Sequence, residues 1–105
     1  MENQIVRHVL IGKFSPEMTG GQFAEFIHAF RELTEKIEGI LSFEYGENNS
    51  SEGLDQGMTH AIVLTFADAA ARDAYLIHPE HVRFANWFTG LGILQTLMVV
   101  DYTPR

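Results

Sequence analysis

The chain has no cysteine in its 105 residues, which removes a disulfide framework, a thiolate nucleophile and a zinc–thiolate site together. Basic residues are also scarce. Seven Lys and Arg stand against fourteen Asp and Glu, giving a formal net charge of −7 and a pI near 5.0, and the seven form no cluster. A surface of that sign repels both a phosphate backbone and anionic lipid, so neither nucleic acid nor a membrane is an expected partner. No stretch approaches the roughly 18 to 20 consecutive apolar residues needed to cross a bilayer. The opening MENQIVRHVLIGKF carries an acid at position 2 and a base inside its apolar run, which does not suit a signal peptide, and the cytoplasm is the expected location. Nucleophile elbows of the Gly-x-Ser-x-Gly kind are missing, which leaves a serine or threonine nucleophile without support, and phosphate-cradling loops are missing too.

What is present is an ordinary globular composition, 46% hydrophobic and 20% charged. It is enough for one domain, residues 1–105, that buries roughly 60 to 70 per cent of the surface of its unfolded chain. Residues 5–14 read as a strand that is largely apolar on both faces. Thr19 and Gln22 form a capping box ahead of a helix whose stripe is Phe23, Phe26, Ile27, Phe30, Leu33 and Ile37, and Gly39 stands where a left-handed turn would end it. Residues 40–45 read as a more edge-like strand, and 46–57 as a surface loop holding the strong turn-formers. Residues 58–66 form a third strand, again apolar on both faces. Asp68 caps a helix to about Ile77, Pro79 stops it and opens another with Val82, Ala85, Phe88 and Leu91 inward, and 95–102 closes the set. Trp87 and Phe88 are expected to help cover the sheet.

That order, β-α-β-β-α-β with its second helix broken, is the α+β ferredoxin-like sandwich. His8 opens one central strand and His60 the other, each six residues before a phenylalanine, which places them as expected neighbours on one face. Helices from one small chain cover one side of such a sheet, so strands apolar on both faces predict a homodimer.

The residues that could carry chemistry are His8, His60, Tyr75, His78 and His81. Strand histidines facing the helices, with Tyr75 and His81 brought over them, would make a pocket for a small carbonyl or aromatic molecule. There an imidazole can serve as base beside a phenol that donates a hydrogen bond. The plainer alternative is that these histidines satisfy core and interface groups. His78 is expected to cap the helix that begins at Pro79. The set His78, Glu80 and His81 lacks the i, i+4 histidine pair of a zinc-protease helix, and no metal is expected.

The spaced residues His8, Gly46-x-Asn-x-Ser, Thr59-His60, Phe66, Tyr75, His78-Pro79-x-His81 and Asp101-Tyr102 resemble the stress-responsive dimeric α/β-barrel (Dabb) family over essentially the whole chain. The resemblance implies a ferredoxin-like monomer whose sheet packs on that of a second copy to close a barrel. The detail looks like the family's polyketide-cyclase type. That similarity implies a catalytic pair at Tyr75 and His81 and pocket-lining roles for His8, His60 and Phe30. Phe30 falls where the cyclase type has a tyrosine, and the stretch between Trp87 and Asp101 is about two residues longer. Two functions follow as expectations: cofactor-independent ring closure of aldol or Claisen type, or a non-catalytic, stress-associated binding or assembly module.

Overall fold

The computed structural model describes residues 4–105. Its elements are β1 (Val6–Phe14), α1 (Gly20–Lys36), β2 (Ile40–Glu47), β3 (His60–Phe66), α2 (Ala69–Ile77), α3 (Pro79–Gly90) and β4 (Leu94–Tyr102). The four strands make one antiparallel sheet in the order β2-β3-β1-β4, so β1 and β3 are central as the connections require. This is the ferredoxin-like α+β arrangement. Among the described residues no helix is long and apolar enough to cross a membrane.

The local chemistry sets the ends of these elements. Thr19 Oγ1 accepts from the Gln22 amide at 3.0 Å and Gln22 Oε1 accepts from the Thr19 amide at 2.8 Å, the reciprocal box that starts α1. Gly39, at φ +93°, turns the chain out of the helix, and a Cβ there would lie 2.6 Å from that of Ala71. Glycine meets both demands at once.

One sheet face carries Val6, His8 and Phe14 from β1 and Ile62, Leu64 and Phe66 from β3, all buried under the helices. Phe26, Ile27, Phe30 and Leu33 of α1 press onto it, Phe84 and Phe88 complete the aromatic centre from α3, and Leu91 packs against the core from the cap that follows that helix. The inward stripe of α3 therefore differs from expectation: Phe84 takes the place of Val82, which is exposed. Trp87 differs as well. It packs against Phe84 at 5.9 Å but lies in an outer groove between α1 and α3, away from the sheet.

The opposite face carries Val9 and Ile11 of β1, Val63 of β3, and Met98, Val100 and Tyr102 of β4, in register across the sheet. Among the described residues no helix covers it. Val100 and Tyr102 are each 50% exposed. Residues 48–58 overhang one end of this face, held by Asn48 Nδ2 donating to Asp55 at 2.6 Å, and enclose a hollow of about 480 Å³ floored by Ile11, Ala61 and Met98.

The antiparallel pairing corrects one expectation. His8 lies opposite Leu64, and His60 lies opposite Gly12. Both histidines share the helix-facing side, but four positions separate them along the strands, roughly 14 Å at the usual rise per residue. Two strands that begin alike come together with their beginnings at opposite ends.

Candidate functional site

The break between α2 and α3 builds the site. Pro79 has no amide hydrogen and pushes the preceding residue out of the helical region, so His78 adopts an extended backbone at φ −67° and ψ 133°. His78 then serves both helices: its amide donates to the Tyr75 carbonyl at 3.1 Å, and its Nδ1 accepts from the Glu80 amide at 3.1 Å. It caps, as the sequence predicts. The chain restarts with His81 folded back over Tyr75, the two rings 4.3 Å apart between centroids and inclined by 37°.

His81 Nδ1 meets the Leu76 carbonyl at 3.2 Å. That carbonyl lies in the last turn of α2, where no further amide follows to occupy it. Because a carbonyl only accepts, the proton belongs on Nδ1 and Nε2 keeps its lone pair. Burial lowers the His81 pKa below the usual imidazole value, with the Leu76 carbonyl opposing and the neighbouring His8 and His78 imidazoles adding to it. Its base form is therefore favoured at neutral pH. Tyr75, 1% exposed, has its phenol pushed well above the ordinary range by burial alone and remains a donor.

Beneath this pair, His8 stands edge-on to Tyr75, with centroids 6.0 Å apart. Its Nδ1 contacts Asp101 Oδ1 at 2.8 Å, and Arg72 donates to Asp101 Oδ2 at 2.7 Å. Asp101 is the register partner of His8 on β4. Tyr75, His81, His8 and Asp101 border a cavity of about 510 Å³, well within the range of small-molecule sites. Its remaining walls are apolar, with Phe30, Phe84 and Phe88 from the helices and Leu97 and Val99 from β4. The cavity exists because α3 rests over α1 and the sheet centre, leaving Leu97 and Val99 about half exposed.

Of the five residues that the resemblance implies for the site, four meet: His8, Phe30, Tyr75 and His81. His60 does not join them. It is wedged between Phe14 and Phe23, with ring centroids at 4.9 and 4.6 Å, and its Nδ1 meets Thr59 Oγ1 at 2.7 Å. Burial lowers its pKa, with Glu47 opposing. Phe30 brings no hydroxyl, so the α1 wall of the cavity is apolar. Among the described residues no three His, Asp or Glu side chains converge as metal ligands would.

The polar partners of His8 carry a weak sequence signal. Asp101 is the one acid in the otherwise apolar or neutral run LQTLMVVDY, and Arg72 is one of the few bases. Arg72 also sits three residues before Tyr75, on the same side of α2.

The Dabb family profile, the stress responsive A/B barrel domain, matches residues 6–104. The chain is 37% identical over 99 residues to the stress-response A/B barrel domain-containing protein HS1 of Arabidopsis thaliana, covering 94% of this chain and 89% of the relative. It is 30% identical over 100 residues to olivetolic acid cyclase of Cannabis sativa, covering 95% and 97%. The crystal structure of Arabidopsis thaliana At3g17210 superposes with a TM-score of 0.88 at 37% identity, covering 95% of each chain. A dimeric ferredoxin-like protein from Jannaschia sp. CCS1 shares the fold, with a TM-score of 0.77 at 24% identity over 93% and 97%. The matched span, from the first residue of β1 to the tail of β4, takes in every element described above, and the chain belongs to the stress-responsive A/B barrel domain family.

Proposed function

We propose that the protein is a homodimer, closed by its open sheet face, in which each cavity binds a small, partly apolar carbonyl compound and closes a ring by an aldol-type condensation. The observation that carries this reading is the contact of His81 with Tyr75, in which the Leu76 carbonyl leaves His81 Nε2 free as a base. Support for the class of chemistry comes from the 30% identity to a plant polyketide cyclase. Support for the dimer comes from the apolar open face and from relatives of this fold described as dimeric.

The step balances without a cofactor. His81 Nε2 takes the proton from a carbon flanked by two carbonyls, and Tyr75 donates a hydrogen bond to the enolate oxygen that develops. The carbanion then forms a carbon–carbon bond to a second carbonyl of the same chain. The imidazolium returns its proton to the new alkoxide, and loss of water yields the unsaturated ring. An apolar wall of Phe84, Phe88, Leu97 and Val99 would hold an alkyl tail while excluding water from the carbanion.

Incubation of the dimer with a poly-β-keto thioester tests the reading. His81→Ala is expected to lower turnover by about 10²- to 10⁴-fold while the dimer persists. The second reading, a stress-associated module without chemistry, is favoured by the depth at which Tyr75 and His8 are packed, 1% and 6% exposed. On that reading His81→Ala lowers the melting temperature, and neither β-keto acid mimics nor alkyl-substituted hydroxybenzoates move any histidine ring resonance.

A further inference from the structure

The cavity has a polar wall that the proposed step leaves without a task, His8 and Asp101, and Arg72 stands behind Asp101 without lining the cavity itself. Asp101 is shared evenly. Its Oδ1 meets His8 Nδ1 at 2.8 Å and its Oδ2 receives the Arg72 NH1 at 2.7 Å. Arg72 is itself held from the other side, its Nε donating to Asp73 Oδ1 at 2.8 Å. The three side chains come from α2, β4 and β1, and all are largely shielded: 24% exposed for Arg72, 22% for Asp101 and 7% for His8. Such a chain fixes the rotation of each member more firmly than any single exposed pair.

An ionised carboxylate can only accept, so the ring proton of His8 lies on Nδ1. The guanidinium offsets the charge that the carboxylate would otherwise present to the ring. Among the described residues no fully buried side-chain nitrogen or oxygen lacks a partner, and the His8 bond runs through Nδ1. Its Nε2 is therefore the nitrogen that opens on the cavity. We propose that Arg72 is a positioning residue which, through Asp101, sets His8 with its proton on Nδ1 and offers Nε2 as a fixed acceptor to a hydroxyl or enol group of the ligand. This deepens the small-molecule reading and, in its ligand half, rests on it.

Specificity follows from the geometry. Tyr75 donates from one wall while His8 accepts from another, so a neutral ligand with both a carbonyl and an O–H satisfies the two, and one lacking the O–H leaves His8 Nε2 unpaired.

The test has two arms. In protein ¹⁵N-labelled at histidine, His8 is expected to show one protonated and one bare ring nitrogen. Arg72→Leu should abolish the bare signature of Nε2, because an Asp101 no longer held by the guanidinium no longer fixes the ring, and Arg72→Lys should restore it. Asp101→Asn, which keeps the shape of the side chain, is the second variant should Arg72→Leu fail to fold, and it too should abolish the signature. Unchanged His8 shifts in these variants overturn the assignment, whether or not a ligand binds. In the second arm the wild type should bind 4-butylphenol roughly tenfold more tightly than 4-butylanisole, and Arg72→Leu should lose that preference. If neither probe binds the wild type while the ring shifts respond as expected, the small-molecule reading falls and the positioning role of Arg72 stands.

Discussion

Tyr75 and His81 stand in different helices, yet their rings are in contact at 4.3 Å because the break at His78–Pro79 doubles the chain back on itself. A continuous helix would place residues six apart on different faces, well over a turn apart along the axis. The discontinuity is what puts a base beside a donor.

The phenol group can be removed without removing the ring. Tyr75→Phe is expected to keep the edge-on packing on His8 at 6.0 Å and the tilted packing on Phe66 at 5.2 Å, and so to leave stability within about 1 kcal/mol. Turnover of a cyclisation substrate should fall by about 10²- to 10³-fold, since the enolate oxygen loses its donor. Tyr75→Ala should cost about 3 to 5 kcal/mol in urea denaturation by emptying the centre of the core. A Phe variant that turns over like wild type would remove Tyr75 from the chemistry.

How much of this was legible in the sequence depended on range. The α1 stripe, the Thr19–Gln22 box and the His78 cap are local patterns, and they stand as read. The placement of His60 was not legible in the same way, because whether two alike strands run parallel or antiparallel is decided by the chain path between them. Asp101 lies 93 residues from His8 and 29 from Arg72, so nothing but the sheet register shows that they touch. The α3 stripe slipped for a related reason. Helical periodicity allows Val82 or Phe84 inward, and the rings of Phe26 and Phe30 select Phe84.

The acid side of the stability profile should be set by histidine. His81 and His60 both have pKa values lowered in the fold, chiefly by burial. The unfolded chain then binds more protons than the native one between the folded value and about 6.5. Their contribution is complete above about pH 6.5 and is lost as pH falls toward the folded values. Melting temperature should therefore drop between about pH 7 and pH 5, and less steeply in His60→Gln. A wild-type curve that is flat across that window would count against burial as the cause.

Glycine at position 39 is required twice over, by φ +93° and by the 2.6 Å approach to Ala71. Gly39→Ala is expected to destabilise by about 2 to 4 kcal/mol, combining the left-handed backbone cost with the overpacking cost. Urea unfolding at neutral pH measures it. Pairing the change with Ala71→Gly should recover the steric part and leave the backbone part, so the double variant should lie between the single variant and wild type.

The open sheet face carries the prediction with the widest consequence. Val9, Ile11 and Val63 in the centre, half-buried, and Met98, Val100 and Tyr102 on β4, exposed, form one contiguous apolar surface that no helix among the described residues covers. Soluble proteins seldom expose such a patch unless something covers it. A second copy offers the same surface in self-complementary form, which a two-fold interface requires. Val100→Glu places a charge on that surface beside Val9 of the central strand, and in a closed dimer it would meet apolar side chains without a counter-ion, at a cost of several kcal/mol. Sedimentation should then show a monomer where the wild type is a dimer. The His8, Tyr75 and His81 cavity lies on the other side of the sheet, so the monomer should keep its ring resonances in place. A Val100→Glu protein that still sediments as a dimer would mean that the copies meet through some other face, and that the apolar strands of β1 and β4 are covered by a partner not yet identified.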